Sequence, residues 1–129
     1  MRRGRTAFVP ANVDVPHSLT YPGDAGRLLA ILGTREDAWG RPWHVPTAPA
    51  QTLREVARVY AGMVGTPTPR LRQMPNLVLR AVGLFVSDAR EFVKVRYQFE
   101  RPFVLDSSAA ERAFDLQPTS LEDALRSTL

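Results

Sequence analysis

The chain has no cysteine, which excludes disulfides, thiol nucleophiles and cysteine–metal sites and suits a cytoplasmic protein. Lysine is nearly as scarce: of 17 basic residues, only Lys94 is not arginine, a bias that reflects GC-rich coding rather than chemistry. The two histidines, His17 and His44, stand 27 residues apart with no carboxylate pattern beside them, a poor basis for a metal site. No apolar run approaches the ~20 residues that cross a bilayer, so no membrane partner is expected. The basic start MRRGRTAF lacks the apolar region, about 7–15 residues long, of a signal peptide. No glycine-rich loop follows a strand pattern, and no tyrosine has a lysine four residues on.

What is present fits one domain with a real core: 129 residues, 44% hydrophobic and 23% charged. The net charge is +4, to which Arg2, Arg3 and Arg5 contribute much. The other arginines are scattered among carboxylates, without the basic face and interleaved aromatics of a nucleic-acid binder. No nucleic-acid partner is expected.

The organising stretch is Val13–Leu32, VDVPHSLTYPGDAGRLLAIL. It runs from an extended segment through a polar corner (His17, Ser18, Thr20, Tyr21) into an amphipathic helix opened by Gly23 and Asp24. Ala25, Leu28, Leu29 and Leu32 share one face, and Gly33 suits the C-terminal cap. An acidic residue at 24 can accept from first-turn N–H groups and meets the positive end of the helix dipole. Residues 1–7 read as a flexible basic arm before a domain over 8–129. Phe8–Val15 is a short or edge strand broken by Pro10 and Pro16, and Trp43-His44-Val45 is a second brief strand.

Thr52 and Glu55 form a capping box for a helix carrying Leu53, Val56, Ala57, Tyr60 and Val64 and ended by Gly65. Arg70–Met74 is a short strand. Asn76–Val86 is a helix apolar over most of its circumference, so it is buried on more than one face or meets a partner. Residues 87–101 divide: Val93, Val95, Tyr97 and Phe99 alternate as in a half-buried strand, whereas Ala89, Phe92, Val93 and Arg96 fit a helix. The alternation slightly favours the strand. Ser108 with Glu111, and Thr119-Ser120-Leu121-Glu122, read as second and third capping boxes before two last helices.

Three segments, PHSLTYPGDAGRLLAIL, GRPWHVPTAPAQTLREVARVYAGMVG and VLDSSAAERAFDLQPTSLEDAL, resemble in order the C-terminal half of extended short-chain dehydrogenases, the NAD-dependent epimerase/dehydratase family. The resemblance covers about Phe8 to Leu129. Each motif is weak alone; their order gives the resemblance its specificity. It implies that 87–101 is helical. It also implies a left-handed backbone at Asp115, where the family has glycine and aspartate bears a cost of ~1 kcal/mol. In that family a Rossmann domain carries a G-x-x-G-x-x-G loop and a Tyr-x-x-x-Lys pair, and this chain has neither.

The expected fold is therefore α+β: a mostly helical small domain of about five helices with a few short strands. The resemblance implies a detached or truncated substrate-binding lobe of an oxidoreductase, not competent for hydride transfer alone. NAD or NADP is expected only if a Rossmann domain is supplied. The alternative is a free-standing binding or assembly module without redox chemistry. Substrate contacts would come from His17, Tyr21, Arg96 and Tyr97. For His17 and Tyr21 the competing roles are holding the turn and packing. His44 reads as structural, Asp24 as a helix cap, and Asp106-Ser107-Ser108 lacks the setting of a nucleophile. A lobe without its companion domain exposes apolar surface. A homo-oligomer or a Rossmann-domain partner is expected to cover it, a homodimer or higher assembly using helix 76–86, the 13–32 face, or both, and a small-molecule ligand is a further expected partner.

Overall fold

The structure, a computed structural model, describes residues 6–129, apart from the side chains of Asp88 and Ala89. Residues 1–5 of the expected arm lie outside the described residues, and Thr6 and Ala7 stand in a strand. The elements run β1 (Thr6–Val9), α1 (Pro22–Leu32), α2 (Leu53–Met63), β2 (Arg70–Gln73), α3 (Asn76–Gly83), α4 (Ser87–Val95), α5 (Ser108–Phe114) and α6 (Leu121–Arg126), with 3-10 turns at Glu36–Ala38 and Arg96–Phe99. This is the mixed α+β, mostly helical architecture expected, with one helix more. The chain folds as two compact units: the part up to His17 with Gln51–Phe103, and Ser18–Ala50 with Val104–Leu129.

In the first unit β1 and β2 pair in parallel, Thr6 with Arg70 through Val9 with Gln73. Parallel neighbours need a crossover, and α2 lies on the chain between them. Its start is the capping box read from the sequence. Glu55 N–H donates to Thr52 Oγ1 at 3.1 Å and Thr52 N–H donates to Glu55 Oε2 at 2.8 Å. Gly65, at φ 63°, takes the left-handed turn beyond it.

The helix expected over 76–86 stops at Gly83, and Leu84, Phe85 and Val86 form the connector to α4. Gly83 lets the two helices approach: a Cβ there would lie 3.2 Å from Arg90 Cα. Helix α3 buries only Leu79 and Gly83, leaving Leu77, Leu84 and Phe85 exposed. Residues 87–99 are helical, against their alternation. Helical winding brings Phe92 and Phe99 together, stacked at 5.3 Å, and buries Arg96, while Val95 and Tyr97 face outward.

In the second unit Pro22 occupies the first position of α1, where its missing N–H costs nothing. Gly33 caps the helix with right-handed backbone, φ −69°. Leu28, Ala38, Pro46 and Ala110 are buried. Trp43–Val45 forms no strand. Trp43 Nε1 instead donates to Ala38 O at 2.8 Å, and its ring packs 4.7 Å from Phe114. The last two caps shift from their expected places. Ser107 takes the position before α5 and donates to Glu111 Oε1 at 2.6 Å, while Ser108 N–H donates to Asp106 Oδ1 at 3.0 Å. Ser120, not Thr119, caps α6, its Oγ accepting from Asp123 N–H at 3.1 Å. Asp115 is left-handed, φ 51° and ψ 44°, as the resemblance implies.

One glycine substitution tests the packing of α3 on α4, and a second, in α2, is its control. Gly83→Val places a branched side chain against the α4 backbone and should cost about 1–3 kcal/mol in urea denaturation. Gly62→Ala in α2, where a Cβ would have no neighbour within 4 Å, should gain about 0.5–1 kcal/mol. Equal effects would show that α3 and α4 do not pack through Gly83.

Candidate functional site

His17 stands where three segments of the first unit meet. Its backbone pairs with Gln51 through two hydrogen bonds of 3.0 Å, and Phe103 N–H reaches Pro16 O at 3.1 Å. The ring lies between two carbonyls, Nδ1 at 3.1 Å from Val15 O and Nε2 at 3.0 Å from Gln98 O, and stacks on Phe99 at 6.1 Å. A neutral imidazole carries one N–H and can serve only one of two carbonyls; the imidazolium serves both. Either way both nitrogens are turned to backbone. His17 thus fastens the 3-10 turn Arg96–Phe99 to the segment before it, and Asn12 N–H adds a bond to Phe99 O at 3.2 Å.

That turn carries two more of the sequence candidates, facing opposite ways. Arg96 is 6% exposed. One Nη donates to Asn76 Oδ1, the other lies 3.5 Å from Met74 O, and Nε stands 2.8 Å from Glu100 Oε1. The Nε–H is not aimed at that oxygen, so the contact is an ion pair and the N–H itself has no acceptor. Arg96 is spent on the fold. Tyr97 is 62% exposed, its hydroxyl accepting only a long bond of 3.4 Å from Gln98 Nε2. It is the candidate with surface to offer.

Tyr21 belongs to the second unit. Its carbonyl accepts from Asp24 N–H at 3.0 Å, and its half-buried ring lies across Gly23, where a Cβ would collide with it. The rest of the polar corner is also tied down. Ser18 Oγ accepts from Leu105 N–H at 2.9 Å, and the Thr20 and Thr47 hydroxyls meet at 2.9 Å. His44 is exposed, with Nδ1 2.8 Å from Asp106 O. Ser107 Oγ accepts from Thr47 N–H at 3.1 Å while donating to Glu111, and the residue is buried. Its hydroxyl ties Thr47 to Glu111 below the surface, and no substrate-accessible face is left to it. Among the described residues no three His, Asp or Glu side chains gather as a metal would need.

Asp24 is the strongest feature the sequence misplaced. At 1% exposure it does not cap its own helix. Its carboxylate accepts from Thr119 N–H at 2.8 Å, from Thr119 Oγ1 at 2.6 Å and from Arg27. Arg27 also donates to Gln117 O at 3.1 Å. Thr119 is thereby taken from the α6 cap, which is why Ser120 fills it. No spacing rule could have found a pair 95 residues apart; the one local signal was the Arg27 one turn on.

Comparison with protein-family models, with characterised proteins and with solved structures finds no match to this chain.

Burial pushes the Asp24 carboxyl up, but Thr119 and Arg27 outweigh it and hold it below its ordinary value of 3.8. A depressed folded value means stability fully present above the unfolded value and lost as pH falls through the folded one. Asp24→Asn should therefore cost about 1–3 kcal/mol at neutral pH and flatten the loss of stability below about pH 4. Denaturation curves from pH 7 to pH 2 would check this. An unchanged acid slope would mean that Asp24 is not held ionised.

Proposed function

We propose that this chain is the substrate-binding lobe of an oxidoreductase of the NAD-dependent epimerase/dehydratase type. It works against a Rossmann domain that supplies the nucleotide site, and it does not transfer hydride alone. The observation that carries the reading is the segment 87–99, helical against its own alternation, as the resemblance implies. The left-handed Asp115, at a position where the family has glycine, supports it independently.

In this reading the first unit meets the substrate through the exposed Tyr97. His17 places Tyr97 by holding the turn that bears it, and Arg96 anchors that turn from its buried side. The exposed Leu19 and Leu29 of the 13–32 stretch are covered by the Rossmann domain or, in its absence, by a second copy of the chain. Nucleotide binding draws on backbone N–H groups of a glycine-rich loop at a helix N-terminus, and those belong to the other domain.

Calorimetry of the chain alone should give no heat with NAD or NADP. A stable complex with a Rossmann domain of that family should bind nucleotide, and Tyr97→Ala in that complex should weaken substrate while leaving nucleotide affinity unchanged. Micromolar nucleotide affinity in the isolated chain would overturn the assignment. Light scattering across a dilution series should show a dimer; a strict monomer at every concentration would remove the homo-oligomer from the reading.

A further inference from the structure

The α3–α4 hairpin leaves hydrocarbon in water without need of any nucleotide or substrate. Leu77, Leu84 and Phe85 are 80%, 79% and 90% exposed, and Val86 is exposed beside them. Packing explains which side this is. Leu79 and Gly83 turn inward, while Leu77 and Arg80 of α3 and Leu84 just beyond it are exposed. Phe85 and Val86 continue that surface around the connector. A side chain so exposed contributes nothing to the fold, and burying it elsewhere is favourable.

Charge says what kind of surface would cover it. Between Glu55 and Asp88 there is no carboxylate, while Arg58, Arg70, Arg72 and Arg80 all fall in that interval. Residues 70–103 carry seven basic side chains against three acidic ones, and the rest of the chain carries ten of each. The segment that bears the hairpin thus carries a local surplus of four positive charges. Two of its three carboxylates are in ion pairs within it, Glu91 with Lys94 and Glu100 with Arg96.

We propose that this hairpin docks the chain on an anionic lipid surface, its Leu77, Leu84 and Phe85 side chains entering the headgroup region and its arginines meeting lipid phosphates. Shallow insertion of this kind combines buried apolar area with attraction to anionic lipid. It needs no spanning segment, and no helix among the described residues is long and apolar enough to cross a membrane. A second copy laid on the same face would bring two positive segments together. A nucleic acid would match the charge and could stack on Phe85 but would leave Leu77 and Leu84 uncovered.

The chain's lack of cysteine makes the test clean, because Phe85→Cys gives one site for an environment-sensitive fluorophore. The label should shift to the blue with vesicles of phosphatidylcholine and phosphatidylglycerol, and not with phosphatidylcholine alone. Unlabelled protein should sediment with the mixed vesicles. Leu84→Ser with Phe85→Ser, both at exposed positions and checked for unchanged far-UV dichroism, should lower that partition roughly tenfold or more. Arg72→Gln with Arg80→Gln should lower it and weaken its salt dependence. The proposal falls if wild type ignores anionic vesicles or if the double serine variant sediments equally. It also falls if the label shifts with protein concentration alone, which would assign the tip to a second copy. A shift with DNA or poly-glutamate but not with vesicles would assign it to another macromolecule. None of these readouts involves nucleotide or substrate, so they stand or fall apart from the oxidoreductase reading.

Discussion

A carboxylate removed from water must be met by donors, and the second unit is arranged around that demand. Asp24 takes two bonds from Thr119 and one from Arg27, and Arg27 goes on to Gln117. This joins α1 to the segment leading into α6, two parts of the chain that share no continuous backbone in the unit. Burying the charge without those partners would cost several kcal/mol. The cluster therefore specifies how the segment lies as much as it stabilises it. Its consequence runs on into α6, whose cap passes from Thr119 to Ser120 because Thr119 is already engaged.

Among the described residues, the first unit has no buried charge of comparable completeness and relies on backbone instead. His17 and its neighbours offer carbonyls and N–H groups to Gln51, Phe99 and Phe103, and the imidazole grips Gln98 O. The 3-10 turn at 96–99 is held from one side by this imidazole and from the other by Arg96. Such a turn presents Tyr97 outward on a fixed base, whatever it is presented to. The hairpin before it is held by close backbone approach at Gly83, and that economy leaves most of α3 uncovered.

Much of the architecture was legible because it is local. The capping box at Thr52–Glu55, the β2 strand, the left-handed turn at Gly65 and a mostly helical composition follow from short spacings and from backbone preferences of single residues. Asp115 was legible only through the resemblance. Where local signals conflicted, at 87–99, the alternation of Val93, Val95, Tyr97 and Phe99 pointed to a strand. Stacking of Phe92 on Phe99, and the contacts of Arg96 with Asn76 and Glu100, reward the helix instead, and neither gain exists in an isolated segment. Of the four site candidates, His17, Arg96 and Tyr97 meet at the 96–99 turn, which only the structure shows, and Arg96 is consumed inside it.

The sequence by itself determined that there are no disulfides or thiols, that helices dominate, and where α2 begins and ends. These depend on composition or on neighbours within a turn. Tertiary structure alone decided that Asp24 faces Thr119, that Arg96 is buried and Tyr97 is not, and that α3 turns Leu79 inward and Leu77 outward. Each of those is a choice among side chains of equal local merit. Such choices are settled by long-range partners that must satisfy a buried charge or fill a contact, and sequence spacing carries no record of them.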